Sequence, residues 1–150
     1  MWFSRKQSGN SPAAAGPVAT TKSRGDAAEN IALAHLQNKG LKLIQRNFKT
    51  PGRGGGEVDL IMRAPDGTLV FVEVRQRAAA SRGGAGSSIT AIKQQRIVLA
   101  ARHFLLQLGS IPPCRFDVVL IDGRLPEAAL GSADTQIEWI CGAFDAPGNF

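Results

Sequence analysis

The sequence predicts a mixed α/β domain, a single sheet with helices on its faces, in the order α-β-β-β-α-β-β. Three observations carry this. Two long stretches, GDAAENIALAHLQNKG and AIKQQRIVLAARHFLLQL, place apolar residues at helical spacing. Two apolar segments, GEVDLIMR and TLVFVEVRQR, flank a Pro-Asp-Gly turn, and two further apolar runs, CRFDVVLID and QIEWICGAF, close the chain. With 150 residues, 43% of them hydrophobic, the chain has room for one domain with a real core.

Residues 1–21 are rich in Ser, Ala, Gly and Pro without periodicity and predict a disordered basic arm. The folded domain is expected over 22–145, with 146–150 as a tail. In the first helix Ala28, Ile31, Ala32 and Leu36 face inward, and Gly40 is placed to end it. LKLIQRNF follows as a short strand. The glycine-rich GRGGGE at 52–57 lacks the phosphate-loop lysine and precedes a strand, so it is no P-loop; it reads as a mobile lip. The hairpin turns at APDGT. After the flexible loop SRGGAGSS, Ser88 or Thr90 caps a second helix. That helix turns Ile92, Ile97 or Val98, Ala101, Phe104, Leu105 and Leu108 inward and leaves Lys93, Arg96 and Arg102 outside. IPP stops it, and the last two strands complete the sheet.

No apolar run is long enough to span a bilayer, and the N-terminus builds no apolar signal region, so a cytoplasmic protein without a membrane partner is expected. Cys114 and Cys141 lie far apart without metal-ligand spacing; they read as buried thiols in a reducing cytosol, or as one disulfide. The net charge of +6 is unevenly spread. Seven basic residues and no acid fall between Val74 and Phe116, and five basic residues and no acid between Asn30 and Gly56. From Asp117 onward six acids face Arg124 alone. A basic half of this kind suits a polyanion, and equally a merely soluble basic surface.

Asp59 and Glu73 interrupt the two apolar hairpin segments. With the hairpin centred on Asp66, Asp59 lies opposite Glu73 and Glu57 opposite Arg75, and all four side chains share one face. A slip of one residue would separate them. Carboxylates so placed repel unless a cation joins them, and Mg²⁺ suits one or two carboxylates plus waters and phosphate oxygens. Such a cation can activate water and neutralise charge developing on a phosphodiester. The alternative is a cross-strand salt-bridge ladder on a wet sheet face.

Taken together, GDAAENIALAHLQNKGLKLIQRNF, GGEVDLIMR, VFVEVRQR, RFDVVLID and IEWICGAF resemble the YraN-like family of uncharacterised bacterial proteins. That family is similar in pattern to archaeal Holliday-junction resolvases and, more widely, to PD-(D/E)xK nucleases of the restriction-endonuclease-like fold. The resemblance covers about residues 22–145. It implies a restriction-endonuclease-like mixed sheet flanked by helices, with Asp59 and Glu73 as metal ligands and Glu29 as the helix-borne acid that supports them. It puts Arg75 where those nucleases carry lysine. Arginine stays protonated and cannot serve as a base, although it can stabilise transition-state charge. Lys93 is a candidate substitute ammonium. The implied activity is hydrolysis of DNA phosphodiesters with Mg²⁺ or Mn²⁺, at branched or damaged structures. Arg53, Arg77, Arg82, Lys93 and Arg96 would meet the nucleic acid, and a homodimer is left open. The rival readings are a non-catalytic nucleic-acid-binding protein on the same fold and a module whose basic face docks an acidic protein.

Overall fold

The computed structural model describes residues 21–77, 89–122 and 135–148. Within them the order is α1 (Thr21–Asn38), β1 (Lys42–Lys49), β2 (Glu57–Arg63), β3 (Leu69–Arg77), α2 (Ala91–Leu108), β4 (Cys114–Asp122) and β5 (Gln136–Phe144). This is the predicted order. The expected N-terminal arm, the SRGGAGSS loop and Arg82 lie outside the described residues. No described helix is long and apolar enough to cross a membrane.

The strands form one sheet in the order β1-β2-β3-β4-β5, antiparallel throughout except between β3 and β4. That parallel pair requires a crossover, which α2 supplies. Central β3 opens on Leu-Val-Phe-Val, all buried, because both of its faces are covered. Phe71, Phe116, Val118 and Leu120 pack with Ile97, Ala101 and Phe104 beneath α2, whereas Val70, Val72, Val119 and Ile121 pack with Ala28, Ala32 and Leu36 beneath α1.

Both helix ends follow the local code. Gly40, with φ 95°, ends α1: its N–H bonds Gln37 O, and Leu41 N bonds Leu36 O, which closes a Schellman motif. Thr90 caps α2 by accepting from Lys93 N at 3.2 Å. The predicted inward face of α2 is corrected in two places. Ile92 is 72% exposed and Leu108 42%, while Ile97, Val98 and Ala100 are all buried. The core-facing stripe is thus centred on the middle of the helix, and its ends overhang the sheet. Cys114 and Cys141 are free thiols, as expected, but their burial is corrected: Cys114 is half-buried and Cys141 exposed.

The 52–57 segment is anchored at its C-terminal end, at Gly55 and Gly56. Thr50 N donates to Gly56 O, Gly56 N donates to Thr50 Oγ1 at 2.6 Å, and Arg96 Nε donates to Gly55 O. Gly56 lies so close to α2 that a Cβ there would sit 2.4 Å from Ala100 N and 2.5 Å from Arg96 O. Both obstacles are backbone, so α2 would have to retreat. Gly56→Ala is therefore expected to destabilise the domain by about 1–3 kcal/mol, the usual range for overpacking, measurable as a lower urea midpoint.

Candidate metal and nucleic-acid site

The site lies where β2 and β3 part. Their ladder runs from Arg63 opposite Leu69 to Leu60 opposite Val72, the register centred on Asp66, and goes no further. Beyond it Asp59 takes the place of a ladder partner: its Oδ2 accepts from Val74 N at 2.8 Å. The expected strict alternation also fails here. Val58 belongs to the core under α2 and Leu60 to the core under α1, although the two differ by two positions. The neighbouring strand is irregular at the same level. Asn47, between Arg46 (opposite Leu60) and Phe48 (opposite Val58), has φ 49°, a left-handed conformation that asparagine tolerates better than most residues. The four hairpin charges therefore do not form one flat row. Asp59 fills the gap, and Glu73 projects toward α2.

Glu73 is 3% exposed. Its carboxylate lies within hydrogen-bonding reach of Asp59, its Oε1 is 3.2 Å from Lys93 Nζ, and its Oε2 is buried without a hydrogen-bond partner. Lys93 Nζ also lies 3.6 Å from Glu57 Oε1, which a guanidinium nitrogen of Arg96 approaches to 3.5 Å. Glu57 thus pairs with α2, where the sequence suggested Arg75. Glu29 comes from the α1 side. It accepts from Asn47 Nδ2 at 3.1 Å and from Arg46 at 3.5 Å, and it senses the charge of Asp59. Asn47 is the residue that sequence reasoning missed; only its tolerance of positive φ could have marked it.

These environments favour protonation. Burial, then the neighbouring Asp59 charge, pushes Glu73 up to about 8 despite Lys93. Burial also raises Asp59, against the Val74 N–H that favours its ionised form. Partial burial and Asp59 raise Glu29. Partial burial alone would lower Lys93, but the Glu73 and Glu57 carboxylates outweigh it and raise it. At neutral pH and without a cation, the Asp59–Glu73 pair therefore retains a proton.

A folded-state pKa above the unfolded value of 4.5 means the fold binds the proton more tightly. That stabilisation is complete below about 4.5 and is lost as pH rises through about 8. The metal-free protein should accordingly show a falling thermal midpoint between pH 5 and 8, and Glu73→Gln should flatten the slope. An unchanged slope in that variant would refute the assignment.

Among the described residues no three His, Cys, Asp or Glu side chains are gathered into a ready-made metal cluster. The Asp59–Glu73 pair still fits a divalent cation, since an ion there would supply the missing partner of Glu73 Oε2 and replace the retained proton. Beside the pair opens a cleft of about 340 Å³, lined by Glu73, Arg75, Gln76, Thr90 and Lys93. A larger hollow of about 540 Å³ runs between α2 and Asp145–Pro147, away from the carboxylate pair.

The basic candidates divide. Arg75 is half-buried in the cleft, Arg53 is exposed in the β1–β2 turn, and the Lys93 and Arg96 side chains are 38% and 42% exposed. Arg77 is corrected: it is buried, with Nε 2.6 Å from Asp122 Oδ1 and a terminal nitrogen 2.9 Å from Oδ2. It also reaches Glu138 at 3.3 Å. Its fork clamps β3 to the ends of β4 and β5 and is not presented to a phosphate.

The profile of the uncharacterised protein family UPF0102 matches residues 28–121. A UPF0102 protein of Polaromonas naphthalenivorans is 59% identical over 154 residues, spanning 97% of this chain and 99% of its own. One from Albidiferax ferrireducens is 59% identical over 129 residues, spanning 86% and 92%. One from Paracidovorax citrulli is 56% identical over 135 residues, spanning 90% and 92%.

Proposed function

We propose that this chain, which belongs to the uncharacterised protein family UPF0102, is a divalent-metal-dependent nuclease that hydrolyses DNA phosphodiesters, with branched or damaged DNA as the first substrates to test. One observation carries the reading: Asp59 fills the gap between β2 and β3 beside a buried Glu73 whose second oxygen has no partner. The sheet order and the β3–α2–β4 parallel crossover support a restriction-endonuclease-like classification. When bound, Mg²⁺ or Mn²⁺ supplies Lewis acidity toward a phosphoryl oxygen and lowers the pKa of water.

The chain's own residues divide the remaining work. Asp59 and Glu73 hold the ion, and Glu29 tunes the field at Asp59 from α1 while Asn47 and Arg46 hold it in place. Arg75, in the cleft beside Glu73, neutralises charge developing on the scissile phosphate without acting as a base. Arg53 and Arg96 lie outside the pair and meet the anionic backbone, so binding weakens steeply as salt displaces these contacts.

Arg75 also favours a second reading, a nucleic-acid-binding protein that keeps the fold without efficient chemistry. Cleavage assays with Mg²⁺ and Mn²⁺ on linear, branched and single-stranded DNA separate the two. The nuclease reading expects cutting by the wild type, a loss on the order of 10²-fold in Arg75→Ala, and retained or raised rates in Arg75→Lys. A wild type that binds DNA but cuts nothing, beside an Arg75→Lys variant that cuts, would establish the binding reading. Binding indifferent to salt would point to a protein-docking module.

A further inference from the structure

We propose that Lys93 is a resident cation of the carboxylate site and that its ammonium limits the Asp59–Glu73 centre to a single divalent ion. The inference rests on reading that pair as a metal centre. Its starting point is how Glu73 divides its two oxygens. Oε1 is 3.2 Å from Lys93 Nζ, while Oε2 is buried without a partner. A carboxylate shared by two metals, roughly 3.5–4 Å apart, gives one oxygen to each. Here the position beyond Oε1 is held by the ammonium, which also reaches Glu57 Oε1 at 3.6 Å and so spans β2 and β3 as a second metal would.

Charge balance agrees. Glu57 is shared with Arg96 at 3.5 Å, so when ionised Asp59 and Glu73 are the two charges left to Lys93 and one divalent ion. A second divalent ion would need the place of the ammonium.

The helix fixes this arrangement. Thr90 caps α2 through the backbone N–H of Lys93 itself, so the Lys93 backbone is anchored. The first turn of α2 contains no acid, and a cation there opposes the helix dipole. Lys93 is placed against the preference of its own helix, and the carboxylates on the sheet compensate it. Arg96, one turn on, lies 3.5 Å from Glu57 Oε1 and helps to hold that carboxylate facing α2.

Calorimetric titration of metal-free, full-length protein with Mn²⁺, combined with electron paramagnetic resonance of the loaded samples, tests this. The wild type is expected to bind one ion per chain and to give the spectrum of an isolated ion. Lys93→Ala should bind two and show an exchange-coupled pair; Lys93→Met, which keeps the stem without the charge, should do the same if the alanine variant folds poorly. Lys93→Arg should return to one ion. Two ions in the wild type, or a single ion in folded Lys93→Ala and Lys93→Met, would overturn the proposal while leaving the metal centre intact. A wild type that binds no Mn²⁺ would sink the metal centre itself.

Discussion

On the proposed nuclease reading, Asp59→Asn is expected to abolish metal-dependent cleavage, a loss on the order of 10³-fold or more, since a bound divalent ion would contribute several kcal/mol of transition-state stabilisation. The same variant should remain folded with an equal or higher thermal midpoint. Its amide oxygen can still accept from Val74 N, which now bonds Asp59 Oδ2 at 2.8 Å. Its amide nitrogen can donate to Glu73, whose Oε2 is buried without a partner, and the repulsion between the two carboxylates disappears. With no metal present, DNA affinity should stay the same or rise slightly, because a negative charge beside the cleft is gone. Single-turnover cleavage, thermal melting and a binding isotherm on one preparation give all three readings. Wild-type cutting by this variant would refute Asp59 as a ligand.

Asp117→Ala should do the reverse, costing about 1–3 kcal/mol of stability, a sizeable share of the roughly 5–15 kcal/mol typical of a domain. Asp117 is fully buried and accepts from Trp139 Nε1 at 2.9 Å, Gly142 N at 3.0 Å and Arg115 Nε at 3.1 Å. It sits where the β4–β5 register shifts, between Phe116 and Val118, and Gly142 opposite has φ 61°. Its carboxylate replaces the regular ladder there. Alanine would leave three part-buried or exposed donors without their buried acceptor, and the bulge would lose its tie. Urea unfolding measures the loss. A change below about 1 kcal/mol would mean that water takes over those bonds. The two strand aspartates are thus told apart by which property collapses.

Both aspartates look alike in the sequence, each an acid inside an apolar strand. Local chemistry made the elements legible: α2, β4 and β5 begin and end where the apolar runs do, and Gly40 ends α1 by its permissive backbone. The hairpin register was legible as well, because the turn at Pro65–Gly67 fixes which residues face each other between Arg63 and Val72. Strict alternation then misled, because the ladder stops at Leu60 and Asp59 turns into the gap.

What the sequence determined by itself is whatever depends on neighbours along the chain: periodicity, caps, turn chemistry and the family to which the chain belongs. Only the tertiary structure decided which charges are used up and by whom. Arg77 looked like a phosphate contact until Asp122, 45 positions away, was found in its fork. Lys93 became part of the site because α2 crosses back over β3, and Glu29 because α1 covers the other face. The physical reason is range. Secondary structure follows from contacts a few residues apart, whereas the state of a buried charge depends on desolvation and on whichever opposite charge the fold brings within a few ångströms.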